Sequence, residues 1–411
     1  MENQLITLDD FEEYFVEEQR DYILGFNYNV SESLTERLGL PKDKHGALLS
    51  IIAELLVAHE QGKAVSYSRR KVFYCGLKRY CGGGYTYARV LKWVSWLEEA
   101  GYIYNRIAPP RPPHEGERGT QSTMRATPKL LEACRGLLLT AVRRECLCLN
   151  GPDRKKLDYN ETEETIAMRR EVEEINSHLR DVQFDVRLDG VGKTERHICI
   201  PHRSSRTNEP MQLYIPHLEP SIRRVFCRAS FDCGGRLFGP WQNIPKRQRQ
   251  FMTINGELTV EPDYPSLHAR LAYALSGCPL RINDDPYDVG GGFDREQGKY
   301  ALLISFNARN ERSAVYSIAA KLSLTYADAA NLYQQVVVHN WPINQFLSKD
   351  KGVVLQKIDS DIAIKVMQAC QRDGIPVLPV HDSFIVPQRA ESLTREHMDR
   401  AWSWAVDHSP Y

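Results

Sequence analysis

The sequence predicts an α+β protein of several domains, and three observations carry that prediction. The chain has 411 residues, enough for two or three domains, and 42% of them are hydrophobic, enough for real cores. Stretches with helical periodicity dominate the first part, while the last part alternates helical stretches with short apolar β-like runs. Two of those runs end at, or reverse around, an aspartate: Asp263 and Asp382.

Charge is unevenly spread. Lys plus Arg and Asp plus Glu number 53 each, so the formal net charge is zero. By segment the balance is −8 over residues 1–40, +8 over 41–130, −3 over 131–190, +7 over 191–250 and −4 over 251–411. The two basic blocks are candidate nucleic-acid surfaces; plain solvated faces are the alternative. No apolar run approaches the ~20 residues of a membrane helix, so no membrane partner is expected. The acidic N-terminus lacks the pattern of a secretory signal. The cysteines are scattered, with only Cys146 and Cys148 close and no CxxC pair. Free thiols in a reducing cytoplasm, bacterial or phage-infected, are therefore expected, and a zinc ribbon is not. No internal repeat is visible.

Four segments follow. Residues 1–40 read as an acidic helical lead, with Asp9-Asp10 capping a helix through Phe11, Tyr14, Phe15 and Tyr22. Residues 41–130 hold three helical stretches, at 46–60, 66–80 and 85–100. In the third, Val90, Trp93, Val94 and Leu97 recur at helical spacing, and Gly101 suits a left-handed cap. A strand starts at Tyr102, a Pro/Gly/Arg-rich loop covers 108–119, and a second strand follows near Thr123–Ala126. Residues 131–225 read as a helical connector, and 226–411 as the catalytic domain.

The order of three helices, strand, basic loop and strand resembles a winged helix-turn-helix domain. That resemblance implies that Tyr85, Thr86, Tyr87, Arg89 and Lys92 face DNA, with Arg111 and Arg118 on the wing. A three-helix packing module with solvated charges is the alternative.

Residues 258–263 (LTVEPD) read as a strand ending at Asp263, followed by a helix over 265–276 with Pro265 in its first turn. In 376–387 (PVLPVHDSFIVP), Asp382 sits in a tight reversal between two apolar runs. Two such carboxylates could share Mg²⁺, a hard cation that takes oxygen ligands, for in-line phosphoryl displacement. Each Asp taken alone reads more readily as a turn residue.

The segment DYPSLHARLAYALSG (263–277) resembles motif A of the family A DNA polymerases, through Asp263, Tyr264, Ser266-Leu267 and Arg270. VHDSF (380–384) resembles motif C, in the His-Asp-Ser-Phe form of the phage single-subunit RNA polymerases. LQKIDSDIAIKVMQA (355–369) is similar to the helix before motif C, with Gln356 and Asp361 in matching places, and FDCGGRLFG (231–239) to the segment before motif A. Motif B is reduced: Arg295 and Lys299 keep its spacing, but Asn307-Ala308 stands where the family has Tyr-Gly. Arg295 and Lys299 read otherwise as two surface charges. The resemblance covers about residues 226–400 and implies a right-hand palm and fingers, with residues 131–225 thumb-like.

The implied activity is template-directed nucleotidyl transfer from nucleoside triphosphates on a DNA template. Asp263 and Asp382 would hold two Mg²⁺ ions, with Mn²⁺ as substitute. Lys299 and Arg295 would meet the triphosphate, His381 the primer terminus, and Arg236, Gln356 and Arg270 the duplex. Ser383 is no substitute for a third carboxylate. His268 stands where DNA polymerases carry the Glu that excludes ribose, and with Tyr264 and Asn307 it marks sugar selection. A bulky His favours DNA synthesis; Ser383-Phe384 favours RNA or primer synthesis. Nothing in residues 1–225 resembles a proofreading exonuclease. A DNA-binding replication initiator with a decayed polymerase fold and a metal-dependent nuclease are the readings of other classes. By analogy, a small polymerase with an added DNA-binding domain suits a phage or mobile element.

Overall fold

A computed structural model describes residues 22–74, 78–81, 84–109, 121–142, 145–204, 208–280 and 284–409. It is a mixed α+β structure with several sheets. Its buried apolar side chains fall into two cores, one spanning Leu24–Cys134 and the other Cys146–Ala405. Among the described residues, no helix is long and apolar enough to cross a membrane.

The first core is built on a four-stranded sheet ordered Tyr22–Ile23, Val65–Tyr67, Ser122–Ala126, Ile103–Arg106. Helix Ala47–Glu60 is buried almost all round. Its one buried carboxylate, Glu54, accepts from the Asn27 and Tyr28 backbone amides and the Asn27 side chain, so the buried charge is satisfied by hydrogen bonds. Helix Tyr87–Glu99 matches its sequence pattern. Thr86 caps it by accepting from the Arg89 amide, Val90, Trp93, Val94 and Leu97 are buried, and Gly101 follows at φ 72°.

Three expectations are corrected here. Residues 66–80 do not form one helix: strand Val65–Tyr67 is followed by a short helix, Lys71–Tyr74. All three strand residues are buried between two sheet neighbours, and that pairing overrides helix propensity. The acidic lead is not helical throughout: Tyr22–Ile23 joins the sheet, and Tyr28–Val30 pairs antiparallel with Leu139–Ala141. Residues 1–21 lie outside the described residues. The 131–225 connector is mostly β, with one long helix, Glu163–Leu179, opened by a Thr162 capping box. Its strand Leu147–Leu149 runs parallel to Arg223–Cys227, and Phe184–Val186 pairs with Met252–Ile254. Both lie in the second core, so this stretch and the C-terminal part fold as one packing unit.

The second core holds a five-stranded sheet ordered Leu378–Val380, Ser383–Pro387, Glu257–Val260, Met252–Ile254, Phe184–Val186. The Asn255-Gly256 reversal within it has both residues at positive φ, 51° and 83°, as a two-residue hairpin turn needs. Helix Gly352–Arg372 packs across strand Ser230–Phe238, with helix Glu391–His408 alongside. The two cores are fastened by polar groups. Arg79 reaches Asp158, Glu161 and Glu145 and stacks 3.9 Å from the Tyr159 ring. Tyr80 donates to the Leu157 carbonyl and accepts from the Leu149 amide. Arg196 pairs with Glu60.

Candidate active site

Asp263 and Asp382 meet through the backbone. After Val260 the chain continues as Glu261-Pro262 and makes an antiparallel bridge between Asp263 and Ser383. The Tyr264 amide donates to the Asp382 carbonyl at 3.1 Å, and the Phe384 amide to the Pro262 carbonyl at 3.0 Å. Both aspartates are exposed. Ser266, at φ 54°, then turns the chain into helix Leu267–Leu275, which starts two residues later than Pro265 suggested.

The hairpin carrying Asp382 is tightly held. Val380 pairs with Ser383 across a two-residue reversal, His381-Asp382, and His381 takes φ 56°. A non-glycine residue there is strained, and such strain persists only where the surroundings impose it. Trp241 Nε1 and Gln242 Nε2 donate to the Pro379 carbonyl at 2.8 and 2.9 Å. The Ser383 hydroxyl donates to Glu261 at 2.8 Å, and Arg249 holds the same carboxylate with two 2.9 Å bonds. His381 packs edge-on to Phe238 at 6.0 Å. Burial first, then the Arg236 charge, push its imidazole down to about 3, so it is neutral at physiological pH.

Behind the aspartates lies a buried carboxylate that sequence reasoning missed. Asp359, in the middle of helix Gly352–Arg372, is 2% exposed. One of its oxygens lies 3.4 Å from His268 Nε2 and 3.5 Å from Arg236 Nε. Burial opposes its ionisation, but the His268 hydrogen bond and the Arg236 charge prevail and hold it below the ordinary range. Asp382, open to solvent on one side but packed against the buried Asp359 site on the other, is pushed the other way, by partial desolvation and then by the Asp359 charge. The signal for Asp359 was available in the helix itself. It lies on the apolar stripe of Leu355, Ile358 and Ile362, where a charge must find a partner.

Gly235 explains how Arg236 gets there. At φ 78°, a Cβ on it would lie 2.9 Å from the Phe226 ring and 3.1 Å from Ser360 Oγ. The strand thus rests directly on the helix, and Ser360 and Arg224 both donate to the Gly235 carbonyl. Arg224 also pairs with Asp361. Gln356 is buried on the same helix.

Arg295 and Lys299 lie on helix Arg295–Asn307 and are both exposed. Arg295 Nε is tied to Asp285 at 2.5 Å, and its guanidinium lies over the buried Tyr287 ring at 5.2 Å. Lys299 makes no ion pair among the described residues. Between them, Gly298 is essential to packing: a Cβ there would meet the Tyr287 carbonyl oxygen at 2.1 Å. Asn307 is half-buried against Gly352 and donates to the Leu303 carbonyl at 2.9 Å. Tyr264 donates to the Met398 carbonyl at 2.6 Å. Both side chains named for sugar selection besides His268 are thus committed to packing.

On the far flank of Asp263 is a cavity of about 220 Å³ lined by Arg270, Arg395, Asp399 and Trp402, among others. Arg270 is exposed and lies 5.7 Å from the Trp402 ring. In the N-terminal unit, Tyr87 and Arg89 are half-buried and Lys92 is exposed, whereas Tyr85 is buried, its hydroxyl 3.0 Å from Ser50 Oγ. Tyr85 precedes the Thr86 cap on the inner side of the helix, which corrects its expected place on a DNA-facing surface. Arg111 and Arg118 lie outside the described residues.

The acids around the site differ in how far they are engaged. Glu261, Asp285, Asp359 and Asp361 all have cationic partners. Asp263, Asp382 and Asp399, the last lining the cavity beside Asp263, have none among the described residues. Among those residues there is also no group of three or more His, Cys, Asp or Glu placed to hold a metal ion.

No family model matches the chain, and no curated protein sequence matches it. Among solved structures it is similar to the POL domain of Pol1 from M. smegmatis, in complex with DNA primer-template and dNTP. The identity is 16%, the match covers 45% of this chain and 45% of that chain, and the TM-score is 0.31. That likeness is too distant to assign a function.

Proposed function

We propose that the chain is a template-directed nucleic-acid polymerase, making DNA on a DNA template without proofreading, with palm and fingers within residues 226–411. One observation carries this reading: a backbone bridge between Asp263 and Ser383 brings Asp263 beside Asp382, and both carboxylates are exposed and free of cationic partners among the described residues, whereas Glu261 and Asp359 beside them are paired. Uncommitted carboxylate oxygens suit a hard divalent cation. Asp263 and Asp382 would hold Mg²⁺, or Mn²⁺ in its place, and such ions when bound supply activation of a 3′-hydroxyl and neutralise charge on a leaving pyrophosphate.

The chain's own residues take the remaining roles. Lys299 offers an unpaired ammonium to the triphosphate, and Arg295 exchanges Asp285 for a phosphate. His381 is neutral, so it contributes shape rather than charge, seating the primer terminus beside Asp382. His268 walls the sugar pocket. Arg236 and Arg270 follow the duplex, while Gln356, buried in its helix, is set behind that surface. In the N-terminal unit, the order helix, strand, helix, helix, strand, strand supports a winged-helix reading, with Tyr87, Arg89 and Lys92 on the DNA side and Arg111 and Arg118 on the wing.

Extension of a labelled primer on a defined template, with one nucleotide omitted at a time, tests the proposal. Products should stop one position before each template complement of the omitted nucleotide. Absence of elongation on primed and unprimed templates, or release of mononucleotides without added triphosphates, overturns it.

A further inference from the structure

The residue read as the sugar-pocket wall is not free-standing. His268 is 13% exposed at its side chain, and its Nε2 points at the buried Asp359 carboxylate. The same carboxylate faces Arg236. His268 comes from the first turn of helix Leu267–Leu275, Asp359 from the middle of helix Gly352–Arg372, and Arg236 from strand Ser230–Phe238. Three elements distant in sequence therefore converge on one buried acid beside Asp382.

The packing shows why the acid is held in place. Ser360, the next residue, is locked to the Gly235 carbonyl, and Arg224 binds both. Asp359 cannot move away without breaking that contact. An imidazole on an exposed helix start would sample several rotamers; one hydrogen-bonded to a fixed buried acceptor keeps one ring orientation and one tautomer, with the proton on Nε2.

We infer that Asp359 is the positioning residue for sugar selection: it fixes His268 as a rigid wall at the 2′ position of the incoming nucleotide, with Arg236 as its counter-charge. This rests on the polymerase reading above. A wall excludes a hydroxyl only if it cannot yield, so loosening His268 admits ribonucleotides without removing the groups that carry the transfer.

The experiment measures kcat/KM for one deoxyribonucleotide and its ribonucleotide counterpart on the full chain with Mg²⁺. The wild type should prefer the deoxyribonucleotide. Asp359→Ala should lower that preference about tenfold, mainly through a lower KM for the ribonucleotide. Asp359→Asn keeps an acceptor oxygen for His268 Nε2 and should stay near the wild-type ratio. His268→Ala leaves the Asp359–Arg236 pair intact, so it tests the idea even if Asp359→Ala does not fold. It should shift the ratio as Asp359→Ala does, and the double variant should shift it no further. An unchanged ratio in His268→Ala or in folded Asp359→Ala, or a wild type indifferent to the sugar, overturns the inference and leaves the polymerase reading standing. No incorporation of either nucleotide by the wild type overturns both.

Discussion

Replacing Gly235 by alanine tests how strand Ser230–Phe238 seats Arg236 against the central helix. Two costs add. An alanine at φ 78° adopts the left-handed region at ~1–2 kcal/mol. Its Cβ would also stand 2.9 Å from the Phe226 ring and 3.1 Å from Ser360 Oγ, and relieving such overpacking costs ~1–3 kcal/mol. The sum is roughly 2–5 kcal/mol. Gly256→Ala is the internal control, because its φ is 83° and nothing lies within 4 Å of the added Cβ, so only the backbone cost applies. Thermal unfolding followed by tryptophan fluorescence should show a Tm drop for Gly235→Ala at least twice that for Gly256→Ala. Primer extension should fall further for Gly235→Ala, since Arg236 is displaced from Asp359. Equal Tm shifts, or full extension activity in a clearly destabilised Gly235→Ala, would show that Gly235 does not seat Arg236.

Three other outcomes follow from the same structure. Arg89→Glu with Lys92→Glu should weaken DNA binding and flatten its salt dependence in fluorescence anisotropy, while Tyr85→Phe leaves affinity unchanged and loses ~0.5–1.5 kcal/mol of stability with its bond to Ser50. His197, 1% exposed, has its pKa pushed down to about 4 by burial and by the Arg196 charge, with Glu60 at 3.9 Å not offsetting them. Its folded value is below the unfolded one, so its stabilisation is complete above about pH 6.5 and is lost as pH falls towards about 4; the unfolding free energy from denaturant titrations should drop by roughly 3 kcal/mol across that window, less so in His197→Gln. Arg79→Ala removes the hub joining Asp158, Glu161 and Glu145, and should split a single thermal transition into two, one per core.

Much of the fold was legible where local pattern and packing agree. Helix Tyr87–Glu99 shows its buried stripe and its Gly101 stop in the sequence, and the Asp382 hairpin is equally plain, whereas Thr86, expected to face DNA, serves as the helix cap. The strands between 139 and 227 were not. Leu147–Leu149 is three residues long and becomes a strand only by pairing with a segment more than seventy positions away. In the site, Asp263 and Asp382 were legible because each sits alone beside an apolar β element. Asp359 was not singled out, because Asp361, two residues on, drew the resemblance, although only Asp359 is fully buried. Tyr85 was misplaced because its face depends on Ser50 and Phe26, which lie far away in sequence.

The most direct test of the central claim is the single-turnover rate of adding one nucleotide to a primer, for wild type, Asp263→Asn and Asp382→Asn, with Mg²⁺. Both aspartates are exposed and unpaired, so neither substitution should disturb the fold. The wild type should add the template-dictated nucleotide, and each variant should lose at least a hundredfold in rate, ~2.7 kcal/mol. Addition at the wild-type rate by either folded variant would contradict the central claim.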